Sequence, residues 1–268
     1  MTYPSLFATL WQDYINRNPH ASRVHQLFND NGETIINDHV AFRTFNHPKI
    51  NIEQLAKFFK IYGYEEKGSY DFPVKKLFAK HYEHKDPTAP KVFISELLTE
   101  QFSSELQNTV NECIEKIPND AIVSEKFLTA GTFWQPLSYK TYQKLLAESE
   151  YAGWMYAFGF CANHFTVNIN HFNQLKEIRD VNELLLQHGF KLNSSGGLVK
   201  GTPTEFLEQS STLAEEVNVK FAEGTYNIPS CYYEFAKRYV LPRTGKLYTG
   251  FVAASADKIF ESTDVGNR

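Results

Sequence analysis

Two histidines, a glutamate and an arginine stand in this sequence where they could perform metal chemistry. His39 and Arg43 belong to the run Asn37-Asp38-His39-Val40-Ala41-Phe42-Arg43-Thr44-Phe45-Asn46, which follows the turn formers Asn29-Asp30-Asn31-Gly32 and predicts a strand. Alternation puts His39, Ala41 and Arg43 on one face and Val40, Phe42 and Thr44 on the other. A second run of the same kind, Cys161-Ala162-Asn163-His164-Phe165-Thr166-Val167-Asn168-Ile169-Asn170, sets His164, Thr166 and Asn168 against Phe165, Val167 and Ile169. Glu234 shares a strand face with Tyr232 and Ala236 in Ser230-Cys231-Tyr232-Tyr233-Glu234-Phe235-Ala236. Two imidazoles and one carboxylate with open positions suit a non-haem Fe(II) oxygenase, because substrate and O₂ must reach the metal together.

Each of these residues has a plainer reading. His39 and His164 taken singly are half-buried strand histidines bonded to a neighbour; what sets them apart is that they recur at matched positions. Arg43 lies four strand residues from His39, roughly 13 Å at about 3.3 Å per residue. A guanidinium leaning back could hold a substrate carboxylate as a two-pronged partner, or it could make a surface ion pair. Glu96, at the end of Lys91-Val92-Phe93-Ile94-Ser95-Glu96, reads as the first-half counterpart of Glu234. As a fourth ligand it would suit an isomerase or lyase. His81 and His84 face opposite ways by parity on an expected edge strand and read as a solvated pair. The segment Gly196 to Thr202 lacks the spacing of a phosphate-binding loop and reads as a turn or pocket-lining loop. Neither G-x-S-x-G nor H-E-x-x-H is present.

The elements that would hold these groups form an internal repeat. Leu6, Phe7, Leu10, Trp11, Tyr14 and Ile15 predict an amphipathic helix closed at Asn18-Pro19, and a short helix follows over 21–28. After the His39 strand, Ile52, Leu55, Phe58, Phe59 and Tyr62 predict a helix ended by Gly63, then strands over 64–70, 74–84 and 91–97. The His164 strand leads to a helix carrying Leu175, Ile178, Val181, Leu184 and Leu185, closed at Gly189, with strands expected over 191–198, 216–222 and 230–240. His39 precedes Gly63 by 24 residues and His164 precedes Gly189 by 25. The expected fold is therefore α+β, with two β-α-β-β-β modules whose sheets cup around one cavity. A single catalytic domain is expected over 1–268: N-terminal helices and first module over 1–98, a helical connector over 99–157, and the second module with a C-terminal segment over 158–268. Trp134 and Trp154 read as core or pocket wall.

Length and composition narrow the function classes. The 268 residues can bury a substantial core, and 42% hydrophobic with 15% aromatic residues indicates a folded chain. A net charge of −4 without a long basic run offers nothing to phosphate backbones or anionic lipid, so no nucleic-acid or membrane partner is expected. No apolar run has the length of a membrane span and no signal-peptide pattern opens the chain, so a cytoplasmic protein is expected. Cys113, Cys161 and Cys231 are widely spaced and read as buried hydrophobic positions in a reducing compartment.

Four stretches, Asn37 to Thr44, Ala162 to Thr166, Leu207 to Ser211 and Ile228 to Ala236, together resemble the 2-oxoadipate dioxygenase/decarboxylase family in content and order. The resemblance covers nearly the whole chain. It implies a vicinal-oxygen-chelate-like fold, an Fe²⁺ cofactor held by His39, His164 and Glu234, and a substrate carboxylate on Arg43. It also implies that the stretch from Phe251 to Ser262 lines the substrate pocket, with Ser255 its contact. The implied partners are a small 2-oxo acid and O₂, and the implied reaction converts 2-oxoadipate to 2-hydroxyglutarate and CO₂ without a separate 2-oxoglutarate, a step of lysine catabolism. A metal-dependent isomerase or lyase on the same scaffold and a metal-free binding module are the competing readings, since function belongs to the site and not to the fold.

Overall fold

Both histidine strands form, and they lie side by side. The computed structural model describes residues 2–263. Helices α1 (Tyr3–Arg17) and α2 (Pro19–Asp30) precede β1 (Asn37–Phe45), α3 (Ile52–Lys60), β2 (Tyr64–Phe72), β3 (Leu77–His84) and β4 (Lys91–Leu97). The connector holds α4 (Ser104–Glu115), α5 (Tyr139–Glu148) and α6 (Glu150–Phe158). The second half runs β5 (Ala162–Asn168), α7 (Ile178–Gln187), β6 (Lys200–Thr202), β7 (Leu207–Ser211), β8 (Glu216–Phe221), β9 (Gly224–Pro229), β10 (Tyr232–Arg238) and α8 (Ala253–Phe260).

Eight strands make one curled half-barrel sheet in the order β2-β3-β4-β1-β5-β10-β7-β6. β1 and β5 pair antiparallel at its centre, and outward from each the pattern is the same. A parallel neighbour comes first, β4 or β10, and two antiparallel strands follow. The repeat predicted from His39 and His164 is therefore a two-fold pattern about the β1–β5 seam. Gly63 (φ +93°) and Gly189 (φ +80°) close the two repeat helices in the left-handed region that a side chain disfavours.

The alternation that puts the histidines on the concave face puts Val40, Phe42, Phe165 and Val167 on the convex face. There α1, α3 and α7 cover them. Trp11 meets Phe165 edge-on at 5.2 Å and Phe42 packs on Phe59 at 5.5 Å. Fully burying one such side chain is worth about 1.5–3 kcal/mol. Among the described residues, no helix is long and apolar enough to cross a membrane.

The second half departs from the expected strand list in two places. Residues 191–198 do not form a strand, because Asn193-Ser194-Ser195-Gly196-Gly197 turns through two left-handed glycines (φ +68° and +101°); the short β6 takes that place in the sheet. The expected 216–222 strand exists as β8, but with β9 it leaves the sheet as a separate hairpin. This hairpin packs on α5, with Tyr226 stacked on Tyr139 at 3.6 Å and 3°. The third sheet position goes to β7.

Candidate metal centre

Register determines which side chains meet. One row across the sheet reads Lys91, His39, Thr166, Glu234, Ser211, and the next reads Phe93, Ala41, His164, Tyr232. His39 and Glu234 thus stand two strands apart in one row, and His164 projects between them from the next. One donor atom from each of the three lies within 4.8 Å of the others, and all three residues are buried. His164 Nε2 is 3.1 Å and His39 Nε2 3.8 Å from the same Glu234 oxygen, Oε2. A first-row divalent ion bound at about 2.1 Å from each donor needs donor separations of this size.

The surroundings prepare these atoms for a cation. His39 Nδ1 is 2.8 Å from Asp38 Oδ2 and His164 Nδ1 is 3.0 Å from Asn163 Oδ1, so each ring is tied through Nδ1 and turns Nε2 to the centre. Thr166 Oγ1 lies 3.0 Å from His39 Nε2. Gln209 Nε2 donates to Glu234 Oε1. Burial opposes the charge on Glu234, but His39, His164 and Gln209 outweigh it and lower its pKa. Burial lowers His164, with Glu234 a partial offset, which favours the neutral ligating imidazole. Asp38 is held well below the usual carboxylate range: burial works against it, while Arg238, Lys91 and His39 prevail. Arg238 grips that carboxylate with Nε at 2.6 Å and Nη2 at 2.8 Å. Two ring-tied imidazoles and a buried charged carboxylate fit a divalent cation.

The fourth ligand position is apolar. Glu234 lies two residues beyond Tyr232, the partner of His164; the same step beyond Lys91, the partner of His39, is Phe93 and not Glu96. Glu96 has the opposite parity and faces the convex side, where it accepts the Ile52 backbone N–H at 3.0 Å at the start of α3. The expectation of Glu96 as counterpart and rival ligand is thereby corrected. The expected solvated pair of His81 and His84 is corrected as well. β2 covers the edge of β3, and His81, 2% exposed, faces inward with Nδ1 2.9 Å from Tyr70 Oη and Nε2 3.0 Å from Glu83 Oε1. His84 is partly buried between Tyr3 and Tyr64.

Arg43 is 1% exposed on the concave face, one row beyond Ala41. Nη1 meets Glu150 Oε1 at 2.8 Å, Nη2 donates to Thr263 Oγ1 at 3.1 Å, and Tyr151 and Trp154 flank the guanidinium at 4.8 and 5.0 Å. The surface ion pair of the plainer reading is in fact a buried one. Over the donors lie Phe93, Phe251, Ala256, Ile259 and Phe260, leaving a cavity of about 20 Å³. Phe251 sets its ring against His39 at 4.8 Å. Ser255 is buried in the first turn of α8 beside Gly201, where a Cβ would stand 3.1 Å from its Oγ. Gln209 falls in the Leu207 to Ser211 stretch and Lys200 in the Gly196 to Thr202 segment, and the sequence reading gives neither residue a role. Lys200 is the cross-strand partner of Gln209 and is 3% exposed, with Nζ donating to the Asn193 carbonyl at 2.5 Å; burial pushes its pKa down to about 8.

A curled sheet with a histidine on the first strand of each half and a carboxylate on a neighbouring parallel strand defines an α+β half-barrel protein with a candidate metal site, and a Ralstonia eutropha protein described as of the glyoxalase superfamily shares the fold, with a TM-score of 0.78 at 18% identity over 94% of this chain and 86% of that one. Within that class the particular family follows from comparison: the profile of the 2-oxoadipate dioxygenase/decarboxylase family matches residues 5–249, and the chain belongs to that family. The chloroplastic 2-oxoadipate dioxygenase/decarboxylase of Arabidopsis thaliana is 38% identical over 93% of this chain and 74% of its own. The crystal structure of a hydroxyglutarate synthase from Oryza sativa in complex with 2-oxoadipate superposes with a TM-score of 0.90 at 34% identity, over 98% of this chain and 92% of that one. A Shewanella frigidimarina protein described as a hydrolase superposes at 0.89 with 54% identity, over 94% and 98%.

Proposed function

We infer that this protein is an Fe(II)- and O₂-dependent decarboxylating dioxygenase of a 2-oxo dicarboxylate, with 2-oxoadipate the first substrate to test. The overall change balances as 2-oxoadipate plus O₂ giving 2-hydroxyglutarate plus CO₂. The observation that carries this reading is the buried His39, His164 and Glu234 set, with no fourth protein ligand among the described residues, in a chain of this family. When bound, Fe(II) supplies Lewis-acid polarisation of a chelating 2-oxo acid and the electrons that O₂ chemistry requires. The rest is the work of the chain. Asp38 and Asn163 hold the two Nδ1 atoms so that both Nε2 atoms point to one centre. Gln209 fixes the second oxygen of Glu234. Arg43 offers a guanidinium to a carboxylate, and a substrate held at both ends loses the freedom that proximity effects exploit. Phe93, Phe251, Ile259 and Phe260 put apolar walls around the centre.

The test is oxygen uptake by anaerobically Fe(II)-loaded protein on adding 2-oxoadipate, beside other 2-oxo acids. Uptake matched by CO₂ release is expected. Tight metal binding without uptake for any 2-oxo acid would overturn the reading in favour of an isomerase, lyase or hydrolase, none of which consumes O₂.

A further inference from the structure

His81, expected as a solvated residue, is instead buried within a chain of hydrogen bonds that ends over the metal donors. The chain starts at Glu83. Burial opposes the charge on this carboxylate, but His81, Thr249 and Lys91 outweigh it and lower its pKa, so the carboxylate accepts. His81 Nε2, 3.0 Å from Glu83 Oε1, therefore carries the ring proton, and Nδ1 is left with a lone pair. Tyr70 Oη lies 2.9 Å from that Nδ1, and burial pushes the phenol's pKa up to about 12, so the hydroxyl keeps its proton and donates to the imidazole. The same oxygen accepts the Phe251 backbone N–H at 3.1 Å. Every donor in the chain has one acceptor, and the bonds all run in one direction.

Phe251 depends on such ties, because it lies in neither strand nor helix, just before the Val252 N-cap of α8. Its ring stands edge-on to the ligand His39 at 4.8 Å and against Phe93 at 4.9 Å, and it lines the cavity over the donors. On one side the second half of the sheet fastens it. Arg238 Nη1 donates to the Tyr248 and Gly250 carbonyls at 3.1 and 2.8 Å, and Tyr248 Oη donates to the Phe251 carbonyl at 3.0 Å. On the other side Tyr70 on β2 and His81 on β3 tie it to the first half. Gly68 leaves that tie its room. It sits across from His81, and a Cβ there would stand 3.0 Å from both Tyr70 Oη and His81 Nδ1.

We propose that Tyr70 and His81 are positioning residues: the Tyr70 hydroxyl, oriented by His81, holds the Phe251 amide and with it the ring beside His39, and so fixes how a 2-oxo acid lies at the metal. The consequence for turnover rests on the function inferred above. The hold on Phe251 rests on the hydrogen bonds alone.

Two readouts test the two halves separately. In the metal-free protein, hydrogen–deuterium exchange at the Phe251 amide should be roughly tenfold faster in Tyr70→Phe, which removes the acceptor. His81→Leu, which leaves the hydroxyl unoriented, should speed it about threefold or more, while His81→Gln, which keeps one acceptor and one donor, should stay within about twofold of wild type. An unchanged rate in Tyr70→Phe would overturn the hold on Phe251, and equal rates in His81→Gln and His81→Leu would reduce the imidazole to packing. In the Fe(II)-loaded enzyme, Tyr70→Phe should lower kcat for 2-oxoadipate roughly tenfold and leave KM within about threefold, because what it loses is orientation of bound substrate. Phe251→Ala removes the group through which Tyr70 acts, so adding Tyr70→Phe to it should change kcat by less than about twofold. Losses that multiply in the double variant would show that Tyr70 acts by another route and overturn its positioning role. The metal-free melting midpoint of Tyr70→Phe should lie within about 4 °C of wild type, as for one lost hydrogen bond, and a much larger fall would make the bond a general structural one. If the wild type turns over no 2-oxo acid, the role in turnover falls with the functional reading, and the exchange rates still decide whether the chain holds Phe251.

Discussion

His39 and His164 are tied by different neighbours, and the difference decides which tie can be tested. Asp38 serves His39 but also neutralises the buried Arg238, so removing its charge would strand a guanidinium in the interior, a change that costs about 3–5 kcal/mol. Asn163 serves His164 and carries no charge, and its Nδ2 has no partner to lose among the described residues. Asn163→Ala should therefore leave a folded protein and weaken metal binding about 10- to 100-fold, read by competition with a chelator of known affinity. An unchanged affinity would show that ring orientation at His164 is set elsewhere. Arg43→Lys keeps the charge and gives up the guanidinium that Glu150 and Thr263 orient, so KM for a 2-oxo dicarboxylate should rise roughly tenfold or more while iron content stays at one per chain. Equal KM values would remove Arg43 from substrate binding. At this scale residue type and strand parity sufficed to put His39, His164, Glu234 and Arg43 on their strand faces. The sequence was silent on Asp38, which strict alternation turns away from His39. The register shift between Asn37 and His39 lets that side chain reach the imidazole.

Secondary-structure elements close the site and hold one another by their ends. Helix α8 lies over the metal donors, fastened where Asn193 Nδ2 donates to the Lys258 carbonyl at 2.9 Å and to Ser262 Oγ at 2.8 Å. The remaining cavity, about 20 Å³, has room for about one water molecule, so a six-carbon substrate needs this cover to shift. The β8–β9 hairpin is fastened differently, by Glu223 in its turn. That carboxylate accepts from the Tyr139 backbone N–H and Ser138 Oγ, both at 2.7 Å, at the N-terminus of α5. The Tyr139 amide first, then Ser138, lower its pKa to about 2 from an ordinary 4.5. A pKa depressed on folding contributes stability above the unfolded value and loses it as pH falls through the folded one. Glu223→Gln should therefore lower the thermal midpoint at pH 7, and the gap from wild type should close between about pH 4.5 and pH 2. A gap constant across that range would show that the carboxylate does not anchor the hairpin.

At the scale of the whole molecule, the metal site joins the two halves of the sheet. β1 of the first half supplies His39, and β5 and β10 of the second supply His164 and Glu234, across the central seam. An ion bound there stabilises the native state by mass action, about 2.7 kcal/mol at a free concentration 100-fold above Kd. Adding Fe(II) anaerobically should raise the thermal midpoint by several degrees, and His164→Ala should abolish that rise while remaining folded. A rise that survives His164→Ala would place the stabilising ion elsewhere. The two-fold pattern is broken at the candidate metal site, where Phe93 takes the position that Glu234 has in the other half, so the cluster has three donor residues.

By itself the sequence determined the α+β class, the paired modules and the residue types of the candidate site, because strand parity, helix periodicity and the Gly63 and Gly189 caps are local properties written in adjacent residues. Tertiary structure alone decided which face each strand turns inward and which rows align. It placed Phe93 rather than Glu96 opposite Glu234, drew His81 inside under Phe251, and sent the β8–β9 hairpin out of the sheet. Register and strand order depend on pairings between residues as much as two hundred positions apart, such as Asp38 with Arg238, and no local pattern encodes those pairings.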